Sequence, residues 1–179
     1  MPEIELRVAD MSDCPLIKKI DLDFESNYVW KSQIVDDLDS YSIVFQKIKL
    51  PKTISVPFQA GDAFAVEMMV KRQEVFVTRY ENQMIGFVHL ERDIINNRIL
   101  IKIGGVKPEY RRKGIGTAML SGIQSLAQQN AIGRVVFTVQ AKNDPAIRFL
   151  MSKGYQFCGY QEFYFPNLEI ALFFSKNIR

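Results

Sequence analysis

Val106-Lys107-Pro108-Glu109-Tyr110-Arg111-Arg112-Lys113-Gly114-Ile115-Gly116-Thr117-Ala118 carries the strongest structural signal in the sequence. An apolar run enters it, and an amphipathic run leaves it: Ile115, Met119, Ile123, Leu126 and Ala127 recur at helical spacing. The first turn of a helix has backbone N–H groups with no intrahelical partner, and the helix dipole adds partial positive charge there. Such an end binds anions. Gly114 and Gly116 have no side chain to keep a phosphate away, and Arg111, Arg112 and Lys113 bring positive charge. A glycine pair alone would mark a flexible basic turn. Between a strand and a helix, beside three cations, it marks a phosphate-binding loop.

Downstream, the helix is expected over Ile115–Gln129, ended by Asn130 and Gly133. Val135–Val139 is a short apolar strand. A second helix spans Asp144–Lys153, with Asn143 or Asp144 as its cap, Pro145 in its first turn and Gly154 as its stop. Two strands, Tyr155–Tyr160 and Leu168–Ser175, flank a turn at Pro166-Asn167. Upstream, Arg98–Val106 is a strand weakened by Gly104 and Gly105, which calls for a bulge or a close approach by a ligand. Glu74–Tyr80 and Met84–Glu91 form a hairpin through Glu81-Asn82-Gln83.

The N-terminal part reads less clearly. Ile4–Val8 alternates like a strand, and Ser12 or Asp13 caps a short helix to about Ile20. Asp21–Asp39 is mixed and acidic, with no element assigned. Ser42–Leu50 is a strand ended by Pro51, and residues 51–68, with Pro51, Pro57 and Gly61, read as a variable loop region. Antiparallel hairpins plus helical crossovers imply an α/β (α+β) fold, a mixed sheet with helices on both faces.

The 179 residues fit a single domain, and the net charge of +3 is too small for a general nucleic-acid binder. Cys14, Cys158 and the lone His89 leave no metal-ligand spacing, so no metal is expected. The cysteines read as reduced, with Cys158 a small core residue. No leader pattern or bilayer-length apolar run is visible, so a cytoplasmic protein with no membrane partner is expected.

The run from Val106 to Ala118 resembles the acetyl-CoA-binding motif of the GNAT superfamily of N-acetyltransferases: Gln or Arg, two residues, Gly, one residue, then Gly or Ala. Asn143, Ala146, Phe149 and Gly154-Tyr155 are similar to the family's next motif, at the expected distance. The resemblance is strong over residues 74–160 and loose before them. It implies one acyl-CoA N-acyltransferase domain over residues 1–179: an acceptor-side part at 1–73, a CoA-binding core at 74–160 and a C-terminal hairpin at 161–179. It implies a mostly antiparallel sheet splayed between the fourth and fifth core strands. Gly104, Gly105 and Val106 would pair with the pantetheine arm. Backbone amides of Arg111, Arg112, Lys113, Gly114, Ile115 and Gly116, continuing into Thr117, would hold the pyrophosphate. Asn143 would reach the cofactor while also capping its helix, and Lys142 and Arg148 are further cations within the same motif. The resemblance allows a homodimer. The segment Tyr164 to Phe174 is similar to the tail of streptothricin acetyltransferases.

Acyl transfer from a thioester to an amine needs a base for the amine, polarisation of the carbonyl, and a proton for the departing thiolate. The family often has a tyrosine just after the position of Phe149; this chain has Leu150. It often has an acid where Lys102 stands. Glu91 shares a strand face with His89, two residues away, and is the candidate base. Tyr164, in the final hairpin, is the candidate acid, while Tyr155 and Tyr160 read as packing residues. Asp21, Asp23, Glu25, Asp36, Asp37 and Asp39 could attract a cationic amine, and Trp30 with Tyr28 could form a flat wall. The expected function is acetyl transfer from acetyl-CoA to a primary amine of a small molecule, an antibiotic being the most specific guess. The alternatives are a protein or peptide N-terminus as acceptor, and an acyl-CoA sensor with weak catalysis. A nucleotide site ranks below these, because the loop lacks the lysine-serine/threonine ending of a nucleoside-triphosphate loop.

Overall fold

The computed structural model describes residues 2–58 and 62–178, so Gly61 lies outside the described residues. The chain divides into two units. One comprises Met1–Asp23, Pro57–Thr138 and Ser175–Arg179; the other comprises Phe24–Val56 and Val139–Phe174.

The first unit carries strands β1 (Glu5–Val8), β4 (Val75–Tyr80), β5 (Gln83–Asp93) and β6 (Arg98–Val106), and most of β7 (Arg134–Gln140). Their order is β1-β4-β5-β6-β7. The first three pairings are antiparallel and β6–β7 is parallel, giving the expected mixed, mostly antiparallel sheet. Glu81 and Asn82, at φ 48° and 61°, make the two-residue turn between β4 and β5, the twist that suits a tight hairpin.

Helices cover both faces of this sheet. Helices α1 (Cys14–Ile17) and α2 (Ala63–Lys71) close one apolar cluster with Val75, Val77 and Phe87. Helix α3 (Ile115–Gln129) lies on the opposite face, where a Cβ on Gly122 would fall 2.8 Å from Leu6 Cδ2. Asp13 stands at the N-cap of α1 without a side-chain cap bond, and the capping box lies one turn earlier, on the 3-10 turn Met11–Asp13: the Asp10 carboxylate accepts from Ser12 N, and Asp13 reaches back to the Asp10 N–H. Asp62 caps α2 by accepting from Ala65 N at 2.8 Å.

The second unit holds a two-stranded hairpin, β2 (Phe24–Asp37) and β3 (Ser40–Val56), together with α4 (Asp144–Ser152), β8 (Gln156–Gln161) and most of β9 (Ala171–Asn177). This hairpin replaces both the unassigned acidic stretch and part of the expected 51–68 loop. Pro51 does not end the strand. It falls in the register shift opposite Asn27, between Tyr28↔Lys49 and Ser26↔Ile54, where a missing N–H breaks no regular rung. Strand β8 flanks β9 only, and Cys158 on it is exposed rather than in the core.

Candidate active site

Strand β6 parts from β7 halfway along. The parallel ladder runs from Arg98↔Arg134 to Ile101↔Phe137 and is not continued by Lys102–Val106. On its other side β6 stays paired with β5 through Gly86↔Val106. Lys107 N donates to Ile85 O at 2.8 Å. In an antiparallel ladder bonded pairs alternate, so the polar groups of Ile103 and Gly105 face β5, and those of Gly104 and Val106 face the open edge. This is the splay expected between the fourth and fifth strands. The glycines are explained partly by the chain itself: a Cβ on Gly104 would lie 3.0 Å from Phe87 O, and one on Gly105 2.7 Å from Leu22 Cδ2.

The loop after β6 begins with a 3-10 turn, Pro108–Tyr110. Arg111 N is spent there, donating to Pro108 O at 3.1 Å, so the expected amide cradle starts at Arg112. Arg112 and Gly114 have φ of 62° and 82°, with no such value at Lys113 between them. Alternation of this kind turns successive N–H groups to one side, forming an anion nest. Gly114 supplies no side-chain cap to α3, and the helix begins with Ala118 N on Gly114 O at 3.0 Å. The first-turn N–H groups of Ile115, Gly116 and Thr117 therefore receive no side-chain cap, the condition under which a helix N-terminus suits an anion. Ile115 buries its side chain beneath them, while Arg112 and Lys113 are exposed. The expected role of the Arg111 side chain changes. Its guanidinium folds back onto Val106 O at 2.9 Å, Asp23 O at 2.7 Å and Asp21 O at 2.8 Å.

A group of titratable side chains sits on β5, on β6 and just before β4. His89 is buried, and its Nε2 lies 3.4 Å from Glu74 Oε2. Burial holds its imidazole below the ordinary value and so neutral, against the opposing pull of Glu74 and Glu91. Its Nδ1 has no partner among the described residues. The register slips between His89↔Ile103 and Leu90↔Ile101, which makes Lys102 the extra residue of a β-bulge. That bulge brings Lys102 Nζ to 3.7 Å from Glu91 Oε2. A carboxylate from the neighbouring strand thus lies beside position 102. The Glu74 contact and the bulge depend on register, and no sequence pattern announced them.

The remaining candidates belong to the second unit. Asn143 caps α4, its Oδ1 accepting from Ala146 N at 3.1 Å. Lys142 pairs with Glu169, so its charge is already engaged. Arg148 NH1 lies 3.9 Å from Asp144 Oδ2. Asp144 is buried and also accepts from Trp30 Nε1 at 3.2 Å, with Lys47 Nζ at 3.8 Å. Trp30 is therefore pinned by its indole N–H, and Tyr28 carries Lys47 over its ring at 4.3 Å. Tyr164 is half-buried, its ring 5.1 Å from that of Phe165 and 5.8 Å from that of Phe173. Tyr155 is buried and Tyr160 packs on Phe45 at 5.2 Å, as expected of packing residues. Leu150 is buried in the core.

The sequence model of the acetyltransferase (GNAT) family matches residues 42–155. A protein of Drosophila melanogaster, "Probable N-acetyltransferase san", is 28% identical over 129 residues, covering 70% of each chain. The crystal structure of nourseothricin acetyltransferase superposes with a TM-score of 0.82 at 20% identity, over 98% of this chain and 99% of that one. A protein of Bacillus anthracis str. Ames assigned as a streptothricin acetyltransferase, in complex with acetyl coenzyme A, gives a TM-score of 0.74 at 17% identity, over 99% and 98%.

Proposed function

We propose that this chain, which belongs to the acetyltransferase (GNAT) family, transfers an acetyl group from acetyl-CoA to a primary amine of a small polar molecule. The observation that carries the cofactor part is the continuity of two anion- and amide-binding features. The open edge of β6 presents the N–H and C=O of Gly104 and the N–H of Val106, whose carbonyl Arg111 holds, and the nest at Arg112–Thr117 follows it directly. The open edge suits the amides of pantetheine, and the nest suits a pyrophosphate. Asn143, whose Oδ1 is committed to capping, would offer its amide N–H₂ to the cofactor.

Acetyl-CoA supplies its acyl group as a thioester, already activated toward an amine. The protein's tasks are to orient it, polarise its carbonyl and move two protons. An outward N–H of the splayed strand, from Gly104 or Val106, would stabilise negative charge developing on the carbonyl oxygen. Glu91, 3.7 Å from Lys102 Nζ, would take the proton of the amine directly or through water, with neutral His89 beside it. Tyr164 would return a proton to the departing thiolate. Metal ligation is not needed for any of these steps.

A small amine is favoured by the similarity of the Tyr164–Phe174 segment to streptothricin acetyltransferases and by the extent of the likeness to nourseothricin acetyltransferase. A peptide N-terminus is the second reading, favoured by the Drosophila relative named as an N-acetyltransferase. Release of CoA thiol, followed across a panel of streptothricin-type and aminoglycoside amines and N-terminal peptides, tests the proposal. Turnover confined to peptides would move the assignment to the second reading. Tight acetyl-CoA binding without turnover on any amine would leave only a sensor.

A further inference from the structure

We propose that Arg111 is a positioning residue that couples the acetyl-CoA loop to the segment Asp21–Asp23, so that filling the loop stiffens that segment. The inference rests on the reading of residues 112–117 as the pyrophosphate site.

Arg111 begins the phosphate loop, yet its side chain points the other way. One guanidinium donates to three backbone carbonyls: Val106 at the end of β6, and Asp21 and Asp23 just before β2 begins at Phe24. The planar fork of arginine suits such a set, because its donors diverge in fixed directions from three separate nitrogens, whereas an ammonium has one. The guanidinium is held by carbonyls, so it fixes backbone positions rather than balancing an acid.

The segment it grips is tied down at two further places and braced by one bond of its own. Leu22 is buried, and its Cδ2 fills the space where a side chain on Gly105 would begin, 2.7 Å from that ideal Cβ. Asp21 Oδ1 accepts from Asp23 N at 2.7 Å, which tightens the turn. Asp23 Oδ1 accepts from Phe58 N at 2.8 Å, in the stretch leading to α2. Residues 21–23 are therefore a junction between the open edge of β6, the phosphate loop and the entry to α2. Any ligand that orders the loop from Arg112 onward also restricts Arg111, and through it this junction. Because coupling between sites is reciprocal, an occupant that orders residues 21–23 would in turn favour cofactor binding.

Amide hydrogen exchange on the full chain, with and without saturating CoA, reads this coupling. In the wild-type protein CoA should slow exchange in peptides covering residues 111–120 and, by about fivefold or more, in those covering residues 20–26. In Arg111→Lys, CoA should still protect residues 112–120, while residues 20–26 exchange faster without CoA and no longer respond to it. A merely structural role would change the basal exchange and leave the CoA response intact, which overturns the proposal. The wild-type arm is decisive without any variant. Protection of residues 112–120 with no slowing at 20–26, or with faster exchange there, overturns the coupling and leaves the phosphate site standing. No protection at 112–120 removes the phosphate site and the coupling with it.

Discussion

Lys102 Nζ stands 3.7 Å from Glu91 Oε2 across neighbouring strands, because a β-bulge at Lys102 turns that side chain toward β5. The first prediction follows from this pair. If Glu91 is the base, Glu91→Gln should lower kcat by about 10²- to 10⁴-fold, the usual worth of a positioned general base. Acetyl-CoA affinity should stay unchanged, because the loop lies elsewhere in the sheet. Thiol-release kinetics on the best amine, with calorimetry for the cofactor, check it; wild-type turnover in Glu91→Gln removes Glu91 from the mechanism.

His89 gives a pH prediction. Burial lowers its folded-state pKa from the ordinary 6.5, with Lys102 acting in the same direction and Glu74 and Glu91 opposing. Between the folded and unfolded values the unfolded chain binds more protons, so stability rises with pH there and is lost as the pH falls through that window. Replacing His89 with Gln should flatten this acid-side loss. Thermal unfolding of both proteins at a series of pH values below neutrality measures it, and an unchanged slope would assign the loss to other groups.

Tyr164→Phe keeps the ring that packs on Phe165 and Phe173 and removes only the hydroxyl. Turnover should fall while acetyl-CoA affinity holds. A variant with the wild-type rate would show that the thiolate takes its proton from another donor.

Asp144 predicts a stability effect within the second unit. Its buried carboxylate accepts the Trp30 indole N–H and lies near Lys47 and Arg148. Asp144→Ala leaves that indole N–H without its acceptor and should cost about 1–3 kcal/mol. Asp144→Asn keeps an oxygen for Trp30 and should cost less. Equal denaturation midpoints for the two variants would mean that the indole bond is not the source.

The sequence was most legible where local signals and burial agree. Strand Arg98–Val106 and helix Ile115–Gln129 have the predicted bounds, because the strand is bracketed by turn residues and the helix by a glycine entry and an Asn130 exit. The β2–β3 hairpin was read only in part. It is a two-stranded ribbon, and along it exposed Ile34, Val35 and Val44 mix with Lys31, Ser32 and Gln33, so no clean alternation marks its faces. Pro51 suggested an end and instead occupies an irregularity in register. Helix α2 carried a cap in Asp62 and helical spacing in Val66, Met69 and Val70, but Pro57 and Gly61 masked that signal.

The site divides in the same way. The phosphate loop was readable because its chemistry lies in consecutive backbone amides. The direction of Arg111 was not, since its acceptors are carbonyls some ninety residues earlier, at Asp21 and Asp23. The bulge at Lys102 and the Glu74–His89 contact likewise arise from strand register, which one-residue slips would reverse.

Calorimetric titration of acetyl-CoA into the wild-type protein and into Gly116→Trp decides whether the loop after β6 holds the cofactor. Gly116 lies half-buried in the first turn of α3, where an indole would crowd the N–H groups of the nest. The wild type should bind, and Gly116→Trp should lose most of that affinity while melting at the wild-type temperature. Equal affinity in the two proteins would contradict the assignment of residues 112–117 as the pyrophosphate site.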